Sequence, residues 1–197
     1  MSLKVSGMHW KIMMAAAAIG PLAAFGCTAV EPPPPQPAPM TQADMEKRGD
    51  YLVNSMGCSD CHTPMKMGAN GPEPDMERFL SGQPASEELP PPPAPSGPWM
   101  VSITATGTAW SGPWGISYTQ NLTPDMDTGI GNYTEEQFVM TIREGKKQGR
   151  GRDLLPPMPW PVFKNLSDED LKSIYAYLRT IKPISNRVPD PVIAEMK

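Results

Sequence analysis

Histidine and cysteine are scarce: 2 His and 3 Cys stand in 197 residues, at His9, His62, Cys27, Cys58 and Cys61. A structural zinc site takes about four nitrogen or sulfur ligands. With His9 and Cys27 both near the N-terminus, the body of the chain keeps too few for one. Basic charge is in deficit as well, 17 Lys+Arg against 21 Asp+Glu for a net charge of −4. An acidic protein is a poor binder of nucleic acid. No internal repeat is visible, and the main apolar run, Ile12 to Gly26, is short of the roughly 20 residues a membrane span needs. Proline is abundant instead, at 26 residues. Much of the chain is therefore non-repetitive, and its core is smaller than its length suggests.

Lys4 and Lys11 precede that run with no acidic residue among them, the pattern of a secretory signal peptide. Ala24-Phe25-Gly26-Cys27 resembles a bacterial lipobox, with Ala24 where leucine is usual and Phe25 where a small residue is usual. An unpaired Cys27 sits awkwardly in an oxidising compartment. Lipidation removes the difficulty; ordinary cleavage near Ala24 and an uncleaved anchor are the alternatives. Removal of residues 1–26 takes two lysines and no acid, so the net charge moves from −4 to −6. Glu31-Pro-Pro-Pro-Pro-Gln-Pro-Ala-Pro39 must be extended, and residues 27–40 read as a tether. The expected organisation is one domain over 41–190 and a tail over 191–197. The expected location is the periplasm, with a lipid on Cys27 holding the protein to a membrane.

Cys58-Ser59-Asp60-Cys61-His62 is the chemically loaded stretch. Two residues between the thiols make one helical turn, which aims both sulfurs at one edge of a porphyrin. There they add across its vinyl groups, with the next imidazole beneath the iron. A redox dithiol prefers a strand-to-helix context, which Tyr51 to Gly57 and Thr63-Pro64 do not resemble. A plain disulfide is the bland alternative. A single such motif predicts one covalent haem c, with Cys58 and Cys61 attaching it and His62 on the iron.

For the second axial position His9 is too remote, which leaves methionine, lysine, water or nothing. Met158, in Leu155-Pro-Pro-Met-Pro-Trp160, is singled out by its backbone. Prolines on both sides exclude helix and remove amide donors, so an extended segment is expected to present the sulfur. Met100 is the reserve.

Thr41 with Asp44, and Thr134 with Gln137, mark helix starts of capping-box type, and Ser167 starts the last helix. Met45, Gly49, Leu52, Val53 and Met56 share one face of the first helix. Leu171, Ile174, Tyr175, Leu178 and Ile181 share one face of the last, which Pro183 is expected to stop. The two faces are expected to pack, with Gly49 as the point of close approach. Residues 64–98 read as a long surface insertion, and 100–109 as a short strand or an extended segment. Trp110, Trp114 and Trp160 are expected as cavity wall. Asn121 to Gly131 is turn chemistry; its acids lack the spacing of a calcium loop. Lys146, Lys147, Arg150 and Arg152 read as a solvated basic loop, with haem propionates or an acidic partner as alternatives.

Cys58 to His62, Asn121-Leu-Thr-Pro-Asp, Thr128-Gly-Ile-Gly131, Pro157-Met-Pro159 and Asp170 to Arg179, in this order and spacing, resemble the cytochrome c domains of bacterial membrane-bound alcohol dehydrogenase complexes and related mono-haem proteins. The resemblance omits a proline-rich insertion over residues 83–98. It implies a mostly α, class I cytochrome c fold, with helices around one haem and long proline-rich loops. It also implies His62 and Met158 as axial ligands, and electron transfer between redox protein partners. Those dehydrogenase subunits usually carry three such domains and this chain has one. The expectation is an electron carrier, not an enzyme, with no small-molecule substrate. The competing readings are a haem enzyme or gas sensor with a labile sixth ligand, and a relay subunit of a larger oxidoreductase complex.

Overall fold

The computed structural model describes residues 38–94 and 96–194. The expectations for the signal peptide, for Cys27 and for most of the tether lie outside them. In chain order the helices are α1 (Gln42–Ser55), α2 (Cys58–His62), α3 (Glu135–Glu144), α4 (Trp160–Phe163) and α5 (Asp168–Leu178). Single 3-10 turns lie at Met76–Arg78 and Lys147–Gly149.

Local chemistry explains where the long helices begin. Thr41 Oγ1 accepts the Asp44 N–H at 3.2 Å while the Asp44 carboxylate accepts the Thr41 N–H at 3.4 Å. Thr134 and Gln137 repeat the exchange at 3.1 and 2.9 Å. Ser167 caps α5 through the Asp170 N–H at 3.0 Å, and three acidic residues in its first turn complement the helix dipole. Gly145, with φ of 63°, ends α3. The last helix ends at Leu178, short of Pro183; Arg179 keeps helical dihedrals as its C-cap, with its N–H on the Tyr175 carbonyl, and its guanidinium donates to the Gly131 carbonyl at 2.6 Å.

The first and last helices pack against each other, as expected. A Cβ at Gly49 would lie 1.9 Å from the Ser173 carbonyl oxygen and 2.7 Å from Tyr177 Cβ, so only glycine permits this separation. The residues facing Gly49 are thus Ser173 and Tyr177, beside the expected stripe and not on it. Leu171, Ile174 and Leu178 instead join Leu52, Val53, Phe138 and Ile142 in the core. Each such side chain contributes roughly 1.5–3 kcal/mol by leaving water. Arg48 and Asp170 bridge the two helices at 2.9 Å.

Among the described residues two antiparallel sheets accompany the helices, where only a short strand or an extended segment was expected over residues 100–109. A hairpin pairs β1 (Met65–Gly68) with β2 (Gly71–Pro74). A second sheet has the order β3 (Ser102–Ile103), β4 (Ala109–Gly112), β5 (Gly115–Tyr118), β6 (Val192–Ile193). Its last strand comes from residues 191–197, expected as a tail. Residues 64–98 are also less superficial than expected. Leu80 and Gln83 are fully buried, and the Leu80 N–H donates to Thr63 Oγ1 at 3.0 Å. The hairpin and the turn after it, Lys66 to Glu77, are largely on the surface apart from Asp75, as are residues 85–94 and 96–98, so the surface expectation holds outside Pro64, Asp75 and Leu80 to Pro84.

Candidate functional site

Gly57, with φ of 74°, separates α1 from α2. The left-handed turn that glycine allows redirects the chain, and the single turn of α2 then carries Cys58, Cys61 and His62. All three line one cavity of about 740 Å³, within the roughly 300–1,000 Å³ of small-molecule and cofactor sites. Its wall is largely apolar, with Val53, Ile130, Phe138, Ile142, Leu171 and Leu178 among the lining residues.

The His62 ring is buried, and its Nδ1 lies 2.7 Å from the Gln120 carbonyl oxygen. A carbonyl only accepts, so Nδ1 carries the proton and Nε2 keeps its lone pair. Burial lowers the imidazole's proton affinity, partly offset by that hydrogen bond, and so favours the neutral ring a metal requires. Burial likewise pushes the Cys58 thiol up to about 11, and burial with the Asp60 charge raises Cys61. Reactive dithiols have lowered thiol pKa values. The direction here argues against a redox pair, and the two sulfurs are not bonded to each other.

Met158 lines the same cavity and packs against the core. Its setting differs from the extended segment expected. Pro156 and Pro157 form a turn closed by the Met158 N–H on the Leu155 carbonyl at 3.2 Å, and Pro159 caps α4. Ser117 on β5 holds this turn, donating to the Pro156 carbonyl at 2.6 Å and accepting from Trp114 Nε1 at 3.2 Å. Met100, the reserve, is 52% exposed and is not part of the lining.

Of the three tryptophans expected as wall, Trp110 lines the cavity. Trp114 lies over Gly112 and Trp160 against Gly145, so both serve packing elsewhere. Trp110 pairs in register with Ser117, and Thr119 is two residues further along. The alternation of a strand therefore puts all three on one face. Trp110 Nε1 and Thr119 Oγ1 are buried with no hydrogen-bond partner among the described residues, and both residues line the cavity. Buried polar groups are almost always satisfied. A donor-only indole facing the cavity calls for an acceptor from its contents. Lys147 and Arg152 of the basic loop also line the cavity, as does Arg187. Lys146 is instead paired with Asp153.

Two thiols one turn apart, a neutral buried imidazole with a free Nε2, a thioether on the same cavity, an apolar wall and orphaned donors for a carboxylate together fit a haem. Gln120, Ser117 and Thr119 escaped the sequence reading. The only signal for the latter two was their even spacing from one another.

Sequence comparison agrees. The family model described as Cytochrome c matches residues 46–182. The chain is 33% identical over 162 residues to the fructose dehydrogenase cytochrome subunit of Gluconobacter japonicus, covering 82% of this chain and 26% of that one. Identity to the alcohol dehydrogenase (quinone) cytochrome c subunit of Gluconobacter oxydans is 32%, over 73% of this chain and 23% of that one. For the gluconate 2-dehydrogenase cytochrome c subunit of Pantoea cypripedii it is 31%, over 73% and 25%. The chain thus spans about a quarter of the length of these relatives. A cytochrome c domain carries covalently bound haem c and transfers electrons. On the family match and on the identity to these cytochrome subunits, the chain belongs to the cytochrome c family.

Proposed function

We propose that the chain is a mono-haem electron relay, passing single electrons from a dehydrogenase-type donor to a respiratory acceptor at the periplasmic side of a membrane. Cys58 and Cys61 hold the haem covalently, and His62 and Met158 take the two axial positions. The observation that carries this reading is that one cavity is lined by all four of these residues. When bound, the haem supplies a one-electron couple, raised in potential by a methionine opposite the histidine.

The chain's own residues do the rest. The Gln120 carbonyl orients His62 and, by accepting its N–H, makes the imidazole a stronger ligand. Ser117 steadies the turn that presents Met158. Trp110 and Thr119 receive a haem carboxylate, and Arg152 and Arg187 balance its charge. The apolar wall excludes water, so the couple changes charge with little rearrangement around it. With both axial positions filled from the chain there is no open site for a substrate. The step moves one electron in and one out, with no bond made or broken and no proton transferred.

The dehydrogenase-type donor is suggested by the relatives, which are cytochrome subunits of dehydrogenases. The export pattern of residues 1–26 and a lipid on Cys27 supply location and tether.

Intact mass and a reduced-state optical spectrum test the proposal together. The expected result is one haem per chain, retained in acidified organic solvent, with a low-spin spectrum. A colourless chain, or pigment that extracts, overturns it. Met158→Ala is expected to convert the spectrum to that of a weaker sixth ligand and to lower the reduction potential. An unchanged spectrum removes Met158 from the iron.

A further inference from the structure

After α5 the chain returns across the cavity as a strap. Arg187, Val188, Pro189, Asp190 and Pro191 are consecutive and all line it. One end of the strap is held by the sheet, where β6 pairs with β5 and the Ala194 N–H donates to the Trp114 carbonyl at 3.0 Å. The other end is held at Ile184, whose carbonyl accepts from Asn121 Nδ2 at 2.8 Å and whose N–H donates to Thr123 Oγ1 at 3.0 Å, and at Asn186. Its Nδ2 donates to the carbonyls of Ser81 and Gln83 at 2.7 and 2.9 Å, and its Oδ1 accepts the Ala85 N–H at 2.8 Å. Its own backbone N–H donates to Thr128 Oγ1 at 2.9 Å. Asn186 therefore joins the strap to two loops at once. Those loops also frame the histidine: the Gly82 N–H donates to the His62 carbonyl and the Leu122 N–H to that of Leu80, at 2.8 and 2.9 Å.

Between Asn186 and Val192 the strap belongs to no element, and Pro189 and Pro191 lack amide donors, so its position is set from its ends. We propose that Asn186 is a positioning residue that holds the strap shut over the cavity and thereby fixes how much water reaches the haem. This rests on the reading that the cavity holds haem. The oxidised haem carries one more positive charge than the reduced form, and water stabilises the more highly charged state. Freeing the strap therefore lowers the reduction potential.

The test uses the full-length, haem-loaded protein and an equilibrium redox titration. In Asn186→Ala the oxidised-to-reduced ratio at a fixed poise is expected to rise about three- to tenfold, tenfold being 59 mV for a one-electron couple. Thr128→Val cuts the backbone tie without altering the Asn186 side chain, along with the hydroxyl's bonds to Asp125 and Asn121, and is expected to move the potential the same way by less. Arg143→Ala loses contacts to Lys164 and Asp168 and touches no strap residue. It is expected to lower the unfolding temperature while leaving the potential in place. An unchanged potential in Asn186→Ala, or an equal shift in Arg143→Ala, overturns the proposal. If Asn186→Ala does not fold, Thr128→Val decides by the same criterion. A parent protein without haem refutes the underlying reading, whereas a haem-loaded parent with an unmoved variant refutes only the strap.

Discussion

Gly49→Ala is the sharpest probe of how the helices frame the cavity. The added methyl would lie 1.9 Å from the Ser173 carbonyl oxygen, 2.6 Å from its carbon and 2.7 Å from Tyr177 Cβ. None of these is the yielding tip of a long side chain. Two are backbone atoms inside α5, so relief requires α1 and α5 to part by roughly 1 Å, a large displacement in an interior packed as densely as a crystal. Overpacking of this kind costs about 3 kcal/mol or more when backbone must move. Alanine returns about 1 kcal/mol through its better helix propensity. The net expectation is a loss of about 2 kcal/mol. For a domain of this size that lowers the melting temperature by about 4–8 °C. Thermal and denaturant unfolding of the haem-loaded protein measure it, and Gly49→Val is expected to lose more than Gly49→Ala. Because α2 follows α1 across Gly57, the displacement also reaches the haem-bearing turn, so a small change in potential accompanies the loss. An alanine variant as stable as the parent, or more so, refutes the close-packing argument, since propensity alone would then be deciding the outcome.

Three further outcomes follow from single contacts. Ser117→Ala leaves the Pro156 carbonyl and Trp114 Nε1 without their partner, at a cost of about 1–3 kcal/mol; thioether ligation, followed spectroscopically on heating, should fail several degrees earlier than in the parent. Trp110→Phe separates two fates of the orphaned indole N–H. If a haem carboxylate receives it, the haem-loaded variant is less stable by about 1–3 kcal/mol, whereas an indole that stays unpartnered makes the change neutral or stabilising. Asp75 lies below the usual carboxylate range because Arg78 donates to it, with the Glu77 N–H and the Lys66 charge adding to the effect. A depressed folded-state value adds stability that is present above the unfolded value near 4 and is lost as pH falls through the lower folded value. Asp75→Asn should therefore be less stable than the parent by about 1 kcal/mol at neutral pH, and the gap in denaturant midpoint should close in acid. A gap of constant size from pH 7 to pH 3 would show that the charge contributes nothing.

What could be read from the sequence, and what could not, divides along a physical line. Capping at Thr41, Thr134 and Ser167 is local: a side chain meets a backbone amide three residues on, and nothing distant is needed to form the contact. The single helical turn Cys58–His62 is local for the same reason. Gly49 was legible at longer range because a glycine on an apolar helix face costs helix stability unless something approaches it. The errors arise where local rules leave the outcome to partners far away in the chain. Flanking prolines exclude helix at Met158, but whether they make an extended arm or a turn depends on what seizes the Pro156 carbonyl, and that is Ser117, 39 residues distant. Trp110 stands on β4 and Trp114 in the turn between β4 and β5, so register and that turn put one indole in the cavity and the other on Gly112.

Asn186 marks the limit of this kind of reading. Its neighbours Ser185 and Arg187 give no periodicity, its side chain has no local partner, and its bonds run to residues 103 and 105 positions away. Such contacts are entropically costly to assemble, because a long loop must close before any of them forms. A polar side chain that binds three backbone groups of one distant loop repays that closure at a single point. The cytochrome's cavity therefore has two kinds of support. The floor, built from α1, α2 and α5, is specified by helix patterning and close packing. The roof hangs on a β pair at one end and on the side chains of Asn186, Asn121 and Thr123 at the other, so substitutions in the roof should alter the haem's environment sooner than they alter the fold.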